Sequence, residues 1–144
     1  MNRPATYDDA KLLLQLYELR RESVMRDARR WFMSEFKART YEEWQKACPP
    51  GSQMNGWFRQ VVSYWEMAAS MVTSGVLHED LFAANTLEAL LVWIKIEPVV
   101  PALRGFYKNP GWVKNLEALA GIIKGYLDRQ GPEAYDAFVG RWRT

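Results

Sequence analysis

A single histidine, His78, and a single cysteine, Cys48, are the scarcest chemically capable residues of this 144-residue chain. Nucleophilic catalysis by Cys or Ser needs an imidazole within hydrogen-bond reach, and only His78 could supply it. His78 stands directly before Glu79 and Asp80, where it caps or precedes a helix. Cys48 precedes Pro49 and reads as a small apolar residue. No catalytic residue is assigned on this basis. A dimetal carboxylate bundle would need Glu-x-x-His pairs on facing helices, and none occurs. Phosphate-binding glycine loops, dinucleotide turns and zinc spacings are also missing, so no metal and no cofactor is expected.

Glu66 is the more informative charge. Arg59, Ser63, Glu66, Ser70 and Thr73 recur at spacing 4, 3, 4, 3 and form one narrow polar stripe. Trp57, Phe58, Val61, Val62, Tyr64, Trp65, Ala68, Met71 and Val72 cover the rest of the same helix. If another helix covers the stripe, Glu66 requires a partner, because an isolated buried carboxylate is costly. Arg104 is the expected cation. Together with Trp65 and Trp93, this pair defines a polar spot on an aromatic-lined cleft; the alternatives are a structural pin, or a stripe that simply faces water.

Basic residues gather at Arg20, Arg21, Arg26, Arg29 and Arg30, but Glu18, Glu22 and Asp27 interrupt them at helical pairing distance. That pattern argues for a solvated, self-neutralising face and against a nucleic-acid partner. The whole chain agrees: 19 basic side chains nearly match 17 acidic ones, for a formal charge of +2. Aromatic residues make up 14% of the chain, enough for either a bulky core or an aromatic pocket. A lone cysteine excludes an intramolecular disulfide and fits a reducing compartment, so a cytoplasmic location is expected. The N-terminus leads into a polar helix start instead of a secretory signal. The longest apolar run, Ala89 to Ile94, is far shorter than the roughly 20 residues of a membrane span.

The elements that must position these residues are all helical. Thr6 with Asp9 resembles a capping box opening a long first helix, which continues to about Phe36 unless it breaks in the polar stretch Arg20-Arg21-Glu22-Ser23. Thr40 and Glu43 open a short second helix, ended by Pro49-Pro50-Gly51. A third runs from about Gln53 to Ser74 and is closed by Gly75 in the left-handed conformation. The fourth spans Glu79 to about Lys95. Neither of these two carries a Lys or Arg between Gln60 and Ile94, which makes them the expected hydrophobic centre. Pro98 and Pro101 kink or divide the chain before a short helical piece through Tyr107. Asn109-Pro110 reads as the start of a sixth helix reaching Gly131, and Pro132 opens a final one. No run alternates as a strand would. The expected architecture is all-α, a single-domain bundle of six or seven helices over residues 1–144, without a sheet.

The segment Tyr64-Trp65-Glu66-Met67-Ala68, the run Val72 to Gly75, Trp93, Pro98, Arg104 and Leu116-Glu117-Ala118-Leu119 together resemble a family of small bacterial helical proteins of unknown function. The resemblance covers residues 10 to 127, approximately. It implies a helical bundle with Glu66, Trp93 and Arg104 as signature positions, and implies no reaction. Members of that family often carry an N-terminal membrane anchor, which is not carried over here.

Two functional readings follow. The first is a non-enzymatic interaction or regulatory module presenting a helical face to another protein or to its own copy. The second is a small-molecule binder, or an enzyme, using Glu66 and Arg104. An exposed contiguous apolar patch favours the first, and an enclosed pocket with Glu66 at its wall favours the second.

Overall fold

The computed structural model describes residues 3–143. Every helix expected from the sequence is present, and two of them are divided. The first becomes α1 (Tyr7–Arg20) and α2 (Ser23–Ser34), the second is α3 (Tyr41–Ala47), and the third is α4 (Gln53–Thr73). The fourth becomes α5 (Glu79–Asn85) and α6 (Glu88–Ile96). A 3-10 turn at Glu97–Val99 joins α7 (Val100–Phe106), followed by α8 (Lys114–Gln130) and α9 (Ala134–Gly140). No strand occurs among the described residues.

Local chemistry explains most boundaries. Thr6 and Asp9 form the reciprocal capping box, with Asp9 N donating to Thr6 Oγ1 at 3.3 Å and Thr6 N donating to Asp9 at 2.8 Å. At α3, Thr40 accepts from Glu43 N, while the Glu43 carboxylate accepts from Arg39 N instead of the cap residue. The α1–α2 break falls in the expected polar stretch. Glu22 adopts an extended ψ of 145° there, and its side chain accepts from Val24 N and Met25 N. Those two donors hold its carboxyl below the usual range. The break shifts the buried stripe, so α2 turns Met25, Ala28, Trp31 and Phe32 inward while Val24 is left exposed.

One boundary departs from expectation. Asn109-Pro110 does not start a helix: Asn109 Oδ1 accepts from Gly111 N in a turn, and α8 begins only at Lys114. Lys108 and Val113 take left-handed backbone angles, φ 53° and 55°, which fold the connection back on itself.

The core lies along α4 and α6, as the missing basic residues foretold. The fully buried face of α4 includes Phe58, Val61, Ala68 and Ala69, and α6 is buried almost all round from Ala89 to Ile94. α4 packs chiefly on α2 and α8, and α6 on α8. Most aromatic residues serve this interior. Phe32 stacks on Phe36 at 5.2 Å, Phe36 meets Phe58 at 5.2 Å, and Trp44 meets Phe58 edge-on. Cys48 is fully buried, and burial pushes its thiol up to about 12, which disfavours the thiolate. α1 is the outlier: only Asp9 and Leu16 of its residues are buried.

Candidate functional site

Glu66 projects from the middle of α4 onto the first turn of α8. Its Oε1 accepts from Leu116 N at 2.8 Å, and its Oε2 accepts from Asn115 N at 3.2 Å and Asn115 Nδ2 at 2.9 Å. Those backbone groups are the second and third of α8, the donors that a capping side chain normally satisfies from the preceding residue. Val113, which occupies the cap position, has no polar side chain. Glu66 therefore supplies the cap from another helix, and its negative charge sits at the positive end of the α8 dipole. Thr73 Oγ1, two stripe positions further on, donates to Asn115 Oδ1 at 2.8 Å and completes the contact. The polar stripe of α4 is thus the docking seam for the α8 start.

Arg104 is not the partner of Glu66, contrary to the sequence expectation. Its Nε donates to the Trp112 carbonyl at 2.9 Å and its Nη2 to Glu117 at 2.9 Å. Both residues hold the connection into α8, one at the first-turn amides and the other at the preceding carbonyl and at Glu117. They share a structural task without touching. The groove beside Glu66, about 880 Å3 and lined also by Arg59, Tyr107 and Trp112, is open to solvent, and the carboxylate on its wall already accepts three N–H groups.

Trp65 and Trp93 do not share a cleft. Trp93 is buried in the core and lines neither of the two cavities described here. Trp65, 2% exposed, lines a second cavity of about 240 Å3 between α1, α4 and α5. Its neighbours there include Leu16, Tyr17 and Arg20 from α1, Tyr64 and Ala68 from α4, and Phe82 and Thr86. The Tyr64 hydroxyl donates to the Leu16 carbonyl and ties α1 to α4. Burial pushes that phenol up to about 12, with Arg20 and Arg29 opposing and Glu88 reinforcing the shift. Alongside, Arg29 grips Glu88 through two bonds of 2.7 Å, while Arg20 stands 3.6 Å from the same carboxylate.

His78 performs the capping role expected of it. Its Nδ1 accepts from Leu81 N at 3.1 Å, and its Nε2 lies 2.8 Å from the Arg3 carbonyl, which suits the neutral imidazole protonated at Nε2. The N-terminal segment is fixed here by Asp9. That carboxylate is 1% exposed and receives Arg3 in a bidentate pair at 2.6 and 2.7 Å, together with Thr6 and His78 N. Arg3, more than any other group, holds the Asp9 carboxyl well below the usual carboxylate range. No group of three or more His, Cys, Asp or Glu side chains among the described residues has metal-binding geometry.

The outward face of α1 is the feature that sequence reasoning missed. Tyr7, Lys11, Leu14, Glu18 and Arg21, at spacing 4, 3, 4, 3, are all exposed, with Leu14 at 64%. Tyr17, Leu19 and Met67 add exposed apolar surface at its flanks. The signal was present in Leu12-Leu13-Leu14, because consecutive helical residues point about 100° apart and three of them cannot all face one core.

No helix among the described residues is long and apolar enough to cross a membrane. No curated protein and no solved structure matches the chain. A family described as a domain of unknown function (DUF4760) matches over residues 5–122, a span that holds Glu66, Arg104 and the whole of α1. With most of its length inside that match, the chain belongs to the DUF4760 family.

Proposed function

We propose that this domain is a non-enzymatic interaction module that self-associates through the exposed face of α1. The observation that supports this reading is the charge order on that face. In an antiparallel pair of α1 helices related by a two-fold axis between Leu14 and Gln15, Lys11 of one copy faces Glu18 of the other. Leu14 packs at the centre. The 4, 3, 4, 3 spacing is that of a helix–helix seam, and the exposed apolar surface of Leu19 and Met67 would be withdrawn from water. Glu66 accepts three N–H groups of the α8 start, and Arg104 donates to the Trp112 carbonyl and to Glu117, which supports a structural role for both over a shared ligand site.

Sedimentation equilibrium over micromolar to millimolar protein tests the proposal. A reversible dimer is expected. Lys11→Glu places like charges opposite one another and should weaken it about tenfold, on the order of 1.4 kcal/mol. Adding Glu18→Lys in the same chain restores the opposite pairing and should recover the affinity. A monomer at every concentration, or a dimer indifferent to Lys11→Glu, overturns the reading.

A further inference from the structure

The small cavity beneath α1 carries an inference that does not depend on association. At about 30 Å3 for each water-sized group, roughly eight non-hydrogen atoms fit its 240 Å3. Leu16, Ala68 and Phe82 make much of its wall hydrocarbon. Four buried side-chain nitrogen or oxygen atoms of the described residues have no hydrogen-bond partner within the protein: Trp65 Nε1, Arg20 Nε, Thr86 Oγ1 and Trp44 Nε1. Three of the four belong to residues of this one wall, only Trp44 lying elsewhere. Buried polar groups are normally satisfied, so such a concentration at a cavity calls for a ligand that satisfies them.

The chemistry of those atoms selects the ligand. An indole Nε1 and a guanidinium only donate, and a hydroxyl does either, so the occupant must bring acceptors. Arg20 is the one charged side chain on the wall. The Glu88 carboxylate beside it is already taken by the two bonds from Arg29, and Arg20 reaches it only at 3.6 Å. Two guanidinium groups thus share one carboxylate and leave one positive charge uncompensated. Tyr17, half exposed at the α1 edge of the cavity with Arg20 5.0 Å above its ring, marks a route in from solvent. We infer that this cavity binds a small monocarboxylic acid in its ionised form. Its carboxylate would meet Arg20 and Trp65, and its short chain or single ring would lie against Leu16, Ala68 and Phe82.

Titration of the full chain with hexanoate and with benzoate, followed through the indole N–H resonances, tests this. The Trp65 resonance is assigned by its loss in Trp65→Phe. A saturable shift of that resonance is expected for at least one acid, while 1-hexanol, of similar hydrocarbon size but uncharged, should bind at least tenfold more weakly. Arg20→Gln should reduce acid binding by about tenfold or more, as loss of a charge-assisted hydrogen bond does. If that variant does not fold, the comparison of hexanoate with hexanol in the unaltered protein decides alone. No shift of Trp65 with either acid overturns the site. A response to hexanol equal to that of the acids overturns the assignment of a carboxylate.

Discussion

Glu66 shows how a residue can be conspicuous in sequence and still hide its task. A carboxylate in the middle of an apolar helix must find donors, and that much is readable from the spacing of its neighbours. The donors turned out to be Asn115 and Leu116 amides, not a cation. Removing it should leave the α8 amides unsatisfied, so Glu66→Ala is expected to lower stability by about 2 kcal/mol, in the range of a lost cap plus an unpaired donor. Glu66→Gln keeps an acceptor and should cost less. Urea unfolding measures both, and a change within about 0.5 kcal/mol for the alanine variant would refute the capping role. Asp9 gives a second test at this scale. Its folded-state pKa is depressed, so its stabilisation is full above the ordinary aspartate value of about 3.9 and is lost as pH falls toward the folded value. The wild-type urea midpoint should therefore drop on acidification below about pH 4, and Asp9→Asn should start from a lower midpoint and show a shallower drop. Equal slopes would show that Asp9 does not drive the acid response.

Elements followed from short-range signals where those signals were self-contained. Gly75 takes φ 85° just past α4, a conformation that an L side chain adopts only at a cost. Gly75→Ala should thus lower the thermal midpoint, by an amount equivalent to about 1 kcal/mol, and an unchanged midpoint in calorimetry would contradict this. The α1–α2 break was legible as a polar stretch, because Glu22 can cap α2 from within its own segment. The α8 start was not legible. Asn109-Pro110 carries a convincing local start signal, yet the helix begins at Lys114 after a left-handed Val113, since the cap comes from α4, some 49 residues earlier in the chain. The division at Thr86 was equally hidden. Thr86 is extended and its hydroxyl caps nothing, so no local rule announces the break.

For the whole molecule, charge distribution separates interior from surface. The stretch from Gln60 to Ile94 without a Lys or Arg became the centre of the bundle, while Arg29 and Arg30 of α2 pair with Glu88 and Asp27. α1 is held to that bundle by few buried side chains, which leaves its outward stripe available to a second copy. The proposed charge-swap series belongs to this scale, because it tests how two complete domains meet and leaves the interior of each unaltered.

By itself the sequence determined the helical class, the caps at Thr6, Thr40 and His78, the turn at Gly75 and the apolar centre, for these depend on residues within a turn or two of one another. Tertiary structure alone decided what Glu66, Arg104 and Trp65 do and which side of α1 faces water. Partners separated by about fifty positions meet only when helices pack, and a polar group accepts whichever donor that packing brings within 3 Å.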